Sequence, residues 1–204
     1  MRPDSTARYI AIALSLLAIA GCATQRGVDL PELSDWETRT RILAGMADWE
    51  FRGRIGVSAG NEGFNGKLRY AQNDNDFRLV VSGPLGFGSI RIEGDSQRVT
   101  VTDKDGEETV LQDPEFDLRA MYGWTIPVTS LRYWALGIPD PAVPADTEFN
   151  EDGQLASLRQ GSWLIEIAQY RDGGGQSMPR RLTAVSGDNK VRLLIDNWTF
   201  QQPN

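Results

Sequence analysis

The fold is decided by one stretch of the sequence, Trp49-Glu50-Phe51-Arg52-Gly53-Arg54-Ile55-Gly56-Val57-Ser58. Apolar side chains stand at Trp49, Phe51, Ile55 and Val57, with charged residues, glycine or serine between and after them. Successive side chains of a strand point to opposite faces of its sheet. The stretch therefore predicts a β-strand with one apolar and one polar face.

The same alternation returns along the rest of the chain, in runs separated by turns rich in glycine, asparagine and aspartate. Short turns of this kind join neighbouring antiparallel strands, so the pattern indicates an antiparallel meander with one apolar face. The further predicted strands cover residues 64–72, 77–82, 89–93, 98–103, 155–158, 163–170, 181–185 and 191–198.

Three short helices accompany the strands. Ser34 and Glu37 have the spacing of a capping box, with Ser34 as the N-cap residue. Asp113 followed by Pro114 begins the second helix, because aspartate caps a helix and proline fits its first turn. Glycines end the second and third helices. The predicted helices cover residues 35–48, 114–122 and 130–136, the last two ending before Gly123 and Gly137.

The amino terminus has the layout of a secretory signal, with Arg2 and Arg8 ahead of a short apolar run that ends at Cys22. The run is too short to span a bilayer. Small residues stand just before Cys22, the only cysteine of the chain, as in bacterial lipoprotein signals. We therefore expect residues 1–21 to be removed and Cys22 to carry diacylglycerol on its sulfur and an acyl chain on its amino group.

This lipid anchor sets the expected organisation of the mature chain. Residues 22–33 are predicted to be the lipidated terminus and a tether, and residues 34–204 a single domain. The covalent lipid is the only non-protein group expected. Ala23 follows the lipidated position, which resembles lipoproteins directed to the outer membrane. The alternative is an ordinary signal peptide with a chance cysteine near its end.

The composition argues against several classes of function. The chain has a net charge of −7, which makes it a poor candidate for nucleic acid, and it contains no histidine. Histidine is required by Ser-His-Asp triads and by the common zinc sites. Residues 103–108 superficially resemble a calcium loop, but a charged hairpin turn explains them, and no metal site is expected. No enzyme is predicted, although a carboxylate pair suited to glycoside hydrolysis stays open.

One loop between two predicted strands, Ser82-Gly83-Pro84-Leu85-Gly86-Phe87-Gly88, breaks the alternation. It carries two large apolar side chains, Leu85 and Phe87, among glycines and a proline. From the residues alone, two interpretations stay open. The two side chains fold back onto the core, as loop hydrophobes usually do, or they form an exposed apolar contact for a membrane or a partner.

Several motifs follow one another along the whole mature chain. They are the lipobox at 19–22, Trp49-Glu50-Phe51-Arg52-Gly53-Arg54, Gly83-Pro84-Leu85-Gly86, Gly123-Trp124-Thr125-Ile126-Pro127-Val128, residues 131–139, residues 163–170, Met178-Pro179 and Asp196-Asn197-Trp198. In this order and spacing the chain resembles the LolB family, outer-membrane lipoproteins that receive other lipoproteins from a periplasmic carrier.

The resemblance implies a fold that is mainly β with some α: an unclosed antiparallel β-barrel of about ten or eleven strands, with three short helices covering a hydrophobic cavity. It also implies a monomer in the outer membrane of a Gram-negative bacterium, lipid-anchored and facing the periplasm. Its partners would be a LolA-like carrier, acylated lipoprotein cargo and outer-membrane lipid. The family's membrane-inserting leucine falls on Leu85, within a transfer loop that comprises Pro84, Leu85, Gly86 and Phe87.

The apolar strand face and the third helix supply the candidate lining of the cavity that receives acyl chains. Strand alternation identifies a face but does not separate a cavity from a filled core. The candidates are Phe51, Ile55, Val57, Leu68, Tyr70, Leu79, Val81, Ile90, Ile92, Leu131, Trp134, Ile165 and Ile167, with Leu193 and Ile195 on the same face.

Two functions of other classes compete with the receptor. One is a structural lipoprotein that serves as a scaffold in an envelope assembly complex, with a packed core and a stable protein partner. The other is an envelope hydrolase that uses a pair of carboxylates. Binding of a hydrophobic dye in the native state separates a lipid-accepting cavity from a packed core.

Overall fold

The computed structural model describes residues 27–31, 33, 35–83 and 88–201. These residues form three α-helices and eleven β-strands. The helices are α1 (Trp36–Ala44), α2 (Pro114–Tyr122) and α3 (Val128–Leu136). The strands are β1 (Asp48–Ala59), β2 (Glu62–Asn73), β3 (Asp76–Ser82), β4 (Ser89–Gly94), β5 (Val99–Thr102), β6 (Glu108–Leu111), β7 (Ala145–Phe149), β8 (Leu155–Gln160), β9 (Trp163–Gly173), β10 (Gln176–Ser186) and β11 (Asn189–Phe200).

All eleven strands belong to one antiparallel sheet, in the order β6-β5-β4-β3-β2-β1-β11-β10-β9-β8-β7. Two meanders, β1 to β6 and β7 to β11, are joined where the first and last strands pair along nearly their whole length. The outermost strands, β6 and β7, do not pair with each other, so the described sheet is an unclosed barrel. The predicted fold class, mainly β with an unclosed antiparallel barrel and three helices, is confirmed.

The joint between the two meanders is irregular at one point. The register of β1 against β11 shifts between Arg52 and Gly53, which marks a β-bulge. A Cβ atom on Gly53 would collide with the backbone carbonyl of Leu194. A glycine is therefore required where β11 approaches β1 so closely.

The helices follow the prediction with three corrections. The helix α2 has the predicted bounds, with the Asp113 side chain accepting from the Phe116 N–H and with Gly123 at φ 76°. The prediction of Ser34 as N-cap residue is wrong, because Asp35 caps α1 by accepting from the Thr38 N–H. The predicted end of that helix at residue 48 is also wrong, since the chain leaves the helix at Gly45 and enters β1.

The third correction concerns the start of α3, which begins at Val128, two residues before the predicted position. Pro127 occupies the N-cap position and offers no side-chain hydrogen bond there. The sequence therefore contains no polar cap signal at this end. Gly137, at φ 74°, ends the helix as predicted.

One face of the sheet forms the core together with the helices. In β1 the buried positions alternate with more exposed ones, from Trp49 to Ala59. The buried residues of the strands and helices join in a single hydrophobic cluster. We call this side of the sheet the inner face and the opposite side, which carries the polar residues, the outer face. Among the described residues, no helix has the length and apolar character needed to cross a membrane.

Candidate functional site

The inner face brings the predicted cavity residues together. Of the thirteen candidates, twelve are buried and one, Ile90, is partly buried against the same cluster. Leu193 and Ile195 of β11 lie in this cluster as well. The candidates from β1 to β4 and those from β9 are brought into one surface by the pairing of β1 with β11. Whether each side chain contacts an acyl chain stays a prediction.

Part of this apolar interior was not among the predicted cavity residues. Met178, Leu182 and Ala184 of β10, and Leu118 of α2, are buried in the same cluster. Met178 was missed because Pro179 and Arg180 interrupt the alternation of β10 and the register shifts near Arg181, whereas Leu182 and Ala184 lie within the strand predicted at 181–185. These residues belong with the candidates, since they complete the inner face on the side of β9 to β11.

The three helices cover the inner face to different depths. The helix α3 buries five residues, among them Leu131 and Trp134. In contrast, α1 buries only Leu43 and α2 only Leu118. Full burial of one leucine is worth about 1.5–3 kcal/mol. The helix α3 is therefore a fixed part of the core, whereas α1 and α2 are held by fewer apolar contacts.

A buried glutamine fixes α3 to the sheet. The Oε1 atom of Gln160 in β8 accepts from the Trp134 indole N–H at 2.8 Å and from the Asp140 N–H at 2.9 Å. Its Nε2 atom donates to the carbonyl oxygens of Asp140 and Val143 at 2.8 and 2.7 Å. Gln160 is 2% exposed, and all four hydrogen-bonding positions of its amide are thus occupied.

A hydrogen bond and an aromatic contact attach α1 to the sheet. Arg39 donates to the backbone carbonyl of Ser177 at 2.7 Å, and Trp36 makes an edge-on ring contact with Phe149 of β7. Burial lowers the pKa of Arg39, although an arginine stays charged at any physiological pH. The hydroxyl of the neighbouring Tyr170 donates to the Leu155 carbonyl, and burial raises the pKa of this phenol.

The helix α2 is attached at both of its ends. Near its start, the carboxylate of Glu115 accepts from the Trp163 indole N–H at 3.1 Å. Near its end, Arg119 forms an exposed ion pair of 2.7 Å with Asp188. Burial raises the pKa of Glu115, the hydrogen bond from Trp163 lowers it in part, and the charge of Asp113 raises it. An exposed ion pair contributes little to stability, so Trp163 and Leu118 provide most of the attachment.

The predicted transfer loop lies between β3 and β4. Its four residues Pro84, Leu85, Gly86 and Phe87, like Cys22, lie outside the described residues. The base of the loop is described: the Gly83 N–H donates to the Gly88 carbonyl at 2.9 Å, and Ser82 pairs with Ser89. The sheet thus closes a short hairpin loop at this point, and the role of its apolar residues stays a prediction.

The second half of the predicted tether lies against the domain. The Val28 N–H donates to the Phe200 carbonyl at 3.0 Å, and the Leu30 N–H to the Gly174 carbonyl at 2.7 Å. The Gln176 side chain hydrogen-bonds to Pro31 and Leu33, and Leu33 is buried. Val28, Leu30, Pro31 and Leu33 of the predicted tether therefore lie against the domain.

Comparison with known proteins gives consistent results. The family model described as "Outer membrane lipoprotein LolB" matches residues 47–198. The outer-membrane lipoprotein LolB of Marinobacter nauticus is 32% identical over 201 residues, which cover 94% of this chain and 97% of that protein. The protein of the same name from Nitrosococcus oceani is 31% identical over 194 residues, covering 94% and 96%.

A solved structure shares the fold at low sequence similarity. A LolA superfamily protein from Nitrosomonas europaea superposes with a TM-score of 0.53 over 82% of this chain and 94% of that chain. The sequence identity is 6%, so the likeness concerns the fold alone.

Proposed function

Because this chain belongs to the LolB family and is an outer-membrane lipoprotein, we propose that it accepts acylated lipoproteins from a periplasmic carrier and inserts them into the inner leaflet of the outer membrane. The cargo chains would enter between the inner face of the sheet and the helices that cover it. The proposed activity moves a lipid-bearing protein and includes no bond-making step.

One observation carries the proposal: a continuous apolar face on an unclosed barrel, covered in part by two helices that each fully bury one leucine. The face spans both meanders, and the barrel is not closed between β6 and β7. A closed barrel of eight strands would admit side chains or one small ligand only. An open sheet with movable helices can instead enlarge to take long acyl chains.

The energetics of the cargo explain why such a face is needed. Burial of each methylene is worth about 0.8 kcal/mol, so three acyl chains in water cost tens of kcal/mol. A triacylated protein therefore has to pass from one apolar site to another. The acceptor has to hold the chains more tightly than the carrier and less tightly than the bilayer.

Displacement of α1 or α2 is the proposed route by which the chains enter. Each of these helices buries one leucine, so moving either of them costs far less than moving α3 with its five buried residues. The incoming chains would replace the lost contacts of Leu43 or Leu118 with a much larger apolar surface. The carrier itself would be a LolA-like protein that presents the chains at this opening.

The anchor and the loop would act at the membrane. Cys22, which we propose carries the diacylglycerol and the N-acyl chain, stands six residues before Val28, the first of the described tether residues that hydrogen-bonds to the domain. Six extended residues span at most about 20 Å, so the domain stays close to the bilayer. Leu85 would dip into the lipid, where burying one leucine gives about 1.5–3 kcal/mol, enough for reversible contact.

Transfer of cargo from the carrier tests the proposal. A radiolabelled acylated lipoprotein is loaded on its purified carrier and mixed with this protein in its acylated form, solubilised in detergent below the level that strips the carrier. We expect the label to move onto this protein. A mixture of loaded carrier and an unrelated acylated lipoprotein is the control for spontaneous release.

If the protein is instead a structural scaffold, no label should move from the carrier onto it. If the folded protein takes up no cargo from the carrier, the receptor function is contradicted and a search for a stable protein partner follows. If the label appears equally on the unrelated lipoprotein, the transfer is unspecific and the proposal fails in the same way.

A further inference from the structure

The outer face of the sheet contains a groove that the proposed function does not use. Its long side chains come from the four central strands, where cross-strand pairs align them in two neighbouring rows. One row runs Lys67–Arg54–Leu194–Arg181, and the other runs Asn65–Gly56–Arg192–Thr183. The groove they border has a volume of about 830 Å³. We call these eight residues, with Ser82 and Gly83 at one end, the outer groove.

The outer groove concentrates positive charge on an acidic protein. Four cations border it, Lys67, Arg54, Arg181 and Arg192, whereas the whole chain has a net charge of −7. Arg54 pairs with Asp196 at 3.4 Å. Within the described part of the chain, the other three cations form no ion pair. Their charges are therefore available to an anion from outside.

The floor of the groove is partly apolar. Gly56 has no side chain, and the amide of Asn65 lies over it, with Oδ1 2.6 Å from the position that a Cβ atom would take. Leu194 is half-buried beside it. An apolar floor with cations at its rim suits an amphipathic anion better than a small inorganic ion.

The groove also adjoins the base of the loop between β3 and β4. Ser82 and Gly83 line it, and Gly83 donates the hydrogen bond that closes the loop. The protein is held at a membrane surface by its lipid, so phospholipid head groups surround this region at high local concentration. Phosphate groups are the anions of that surface, and Arg and Lys are the side chains that bind them best.

We propose that the outer groove binds the phosphate-bearing head group of an anionic phospholipid. Lys67, Arg181 and Arg192 would contact the phosphate, and the glycerol part would rest over Leu194. Binding would fix the orientation of the domain at the membrane, with the outer face of the central strands towards the lipid. The proposal goes beyond the transfer function, because it concerns a site on the opposite face of the sheet from the acyl chains.

The test measures contact between the outer groove and lipid head groups. A single cysteine is introduced by Ser58→Cys, two residues from Gly56, and labelled with a fluorophore; Cys22 carries the lipid, so the new thiol is unique. The acylated protein is placed in nanodiscs of phosphatidylcholine with or without phosphatidylglycerol and with a spin-labelled head-group lipid. We expect quenching that rises with the phosphatidylglycerol fraction.

The deciding variant removes three cations: Lys67→Gln, Arg181→Gln and Arg192→Gln. We expect its quenching to fall to the level seen in phosphatidylcholine alone, because each cation near the surface contributes about fivefold to association. A matched variant, Arg91→Gln, Arg98→Gln and Arg159→Gln, removes the same charge from exposed positions outside the groove. It should retain the quenching.

Three results would overturn the proposal. One is quenching that does not depend on phosphatidylglycerol, and another is an equal loss in both triple variants, which would indicate bulk charge alone. The third is full quenching in the groove variant. If that variant also loses uptake of cargo from the carrier, the groove is a protein-docking surface instead. Cargo uptake by the wild type is measured separately, so failure of this site and failure of the transfer function are distinguishable.

Discussion

The guanidinium of Arg39 donates a 2.7 Å hydrogen bond to the backbone carbonyl of Ser177 and so ties α1 to β10. Since α1 fully buries only Leu43 and packs its other apolar residues partly exposed, this bond helps to keep the helix closed over the inner face. A hydrogen bond from a charged donor is worth about 2 kcal/mol. Arg39→Leu should therefore speed amide exchange in α1 roughly 30-fold and leave α3 unchanged, as measured by hydrogen–deuterium exchange.

The control for this variant is Arg41→Leu, on the same helix. The Arg41 side chain is exposed and reaches only Thr38, three residues before it. Equal acceleration in the two variants would show that the Arg39–Ser177 bond does not hold α1. If Arg39→Leu opens α1 as expected, it should also bind a hydrophobic dye more strongly than the wild type.

Loss of the Gln160 amide should destabilise the domain. Gln160→Leu leaves the buried Trp134 and Asp140 N–H groups without their acceptor. Because unsatisfied buried donors cost about 1–3 kcal/mol each, we expect the free energy of unfolding to fall by about 3 kcal/mol. Urea titration measures it, with the exposed Gln169→Leu in β9 as the control. A change no larger than that of the control would contradict the role of Gln160.

The stability of the domain should depend on the protonation of Glu115. Its pKa is raised, so the folded state holds the proton more tightly than the unfolded state, whose ordinary pKa is 4.5. Stability therefore falls as the pH rises from 4.5 through the raised pKa. Glu115→Gln removes this loss, and its advantage over the wild type should grow across that window in urea titrations.

The control for the pH series is Glu108→Gln, which removes one exposed carboxylate from β6. The free-energy difference between Glu115→Gln and the wild type should change with pH more than the corresponding difference for Glu108→Gln. A constant advantage at every pH would mean that Glu115 is not destabilised by its burial beside Trp163.

Delivery into the membrane should require the apolar loop. Leu85→Glu places a charge where the proposal needs contact with lipid, and charged side chains do not enter a bilayer readily. We expect uptake of cargo from the carrier to be retained and insertion into liposomes to be lost, as measured by flotation of labelled cargo. Leu85→Met is the apolar control, and Phe87→Glu shows whether the second side chain shares the role. Normal insertion by Leu85→Glu would remove this residue from the mechanism.

The secondary structure could be predicted from the sequence where nearby residues determine it. The helix α2 matches its prediction because both caps, Asp113 and Gly123, are encoded in the residues themselves. The strands β6 and β7 escaped explicit prediction because edge strands have no fully buried face. Of the nine residues of these two strands, only Leu111 is buried. Buried and exposed positions therefore do not alternate in either strand.

The candidate site could be predicted only in part, because the sequence signals are local and the pairing of distant strands is not. Alternation assigns residues to a face, and the structure places Phe51 and Ile165 on the same inner face as expected. The outer groove, however, depends on the register of β1 against β11, a pairing between the two ends of the domain. No local signal places Arg54 beside Leu194 and Arg181, so the groove could not be predicted.

Photocrosslinking of the cargo shows which face of the sheet the acyl chains contact. Lipoprotein whose acyl chains carry diazirine groups is transferred from the carrier to this protein, irradiated, and the crosslinked peptides are sequenced by mass spectrometry. We expect crosslinks to inner-face residues, such as Phe51, Leu131 and Ile165. Crosslinks confined to the outer face of the sheet, with transfer demonstrated in the same sample, would contradict binding of the acyl chains at the inner face.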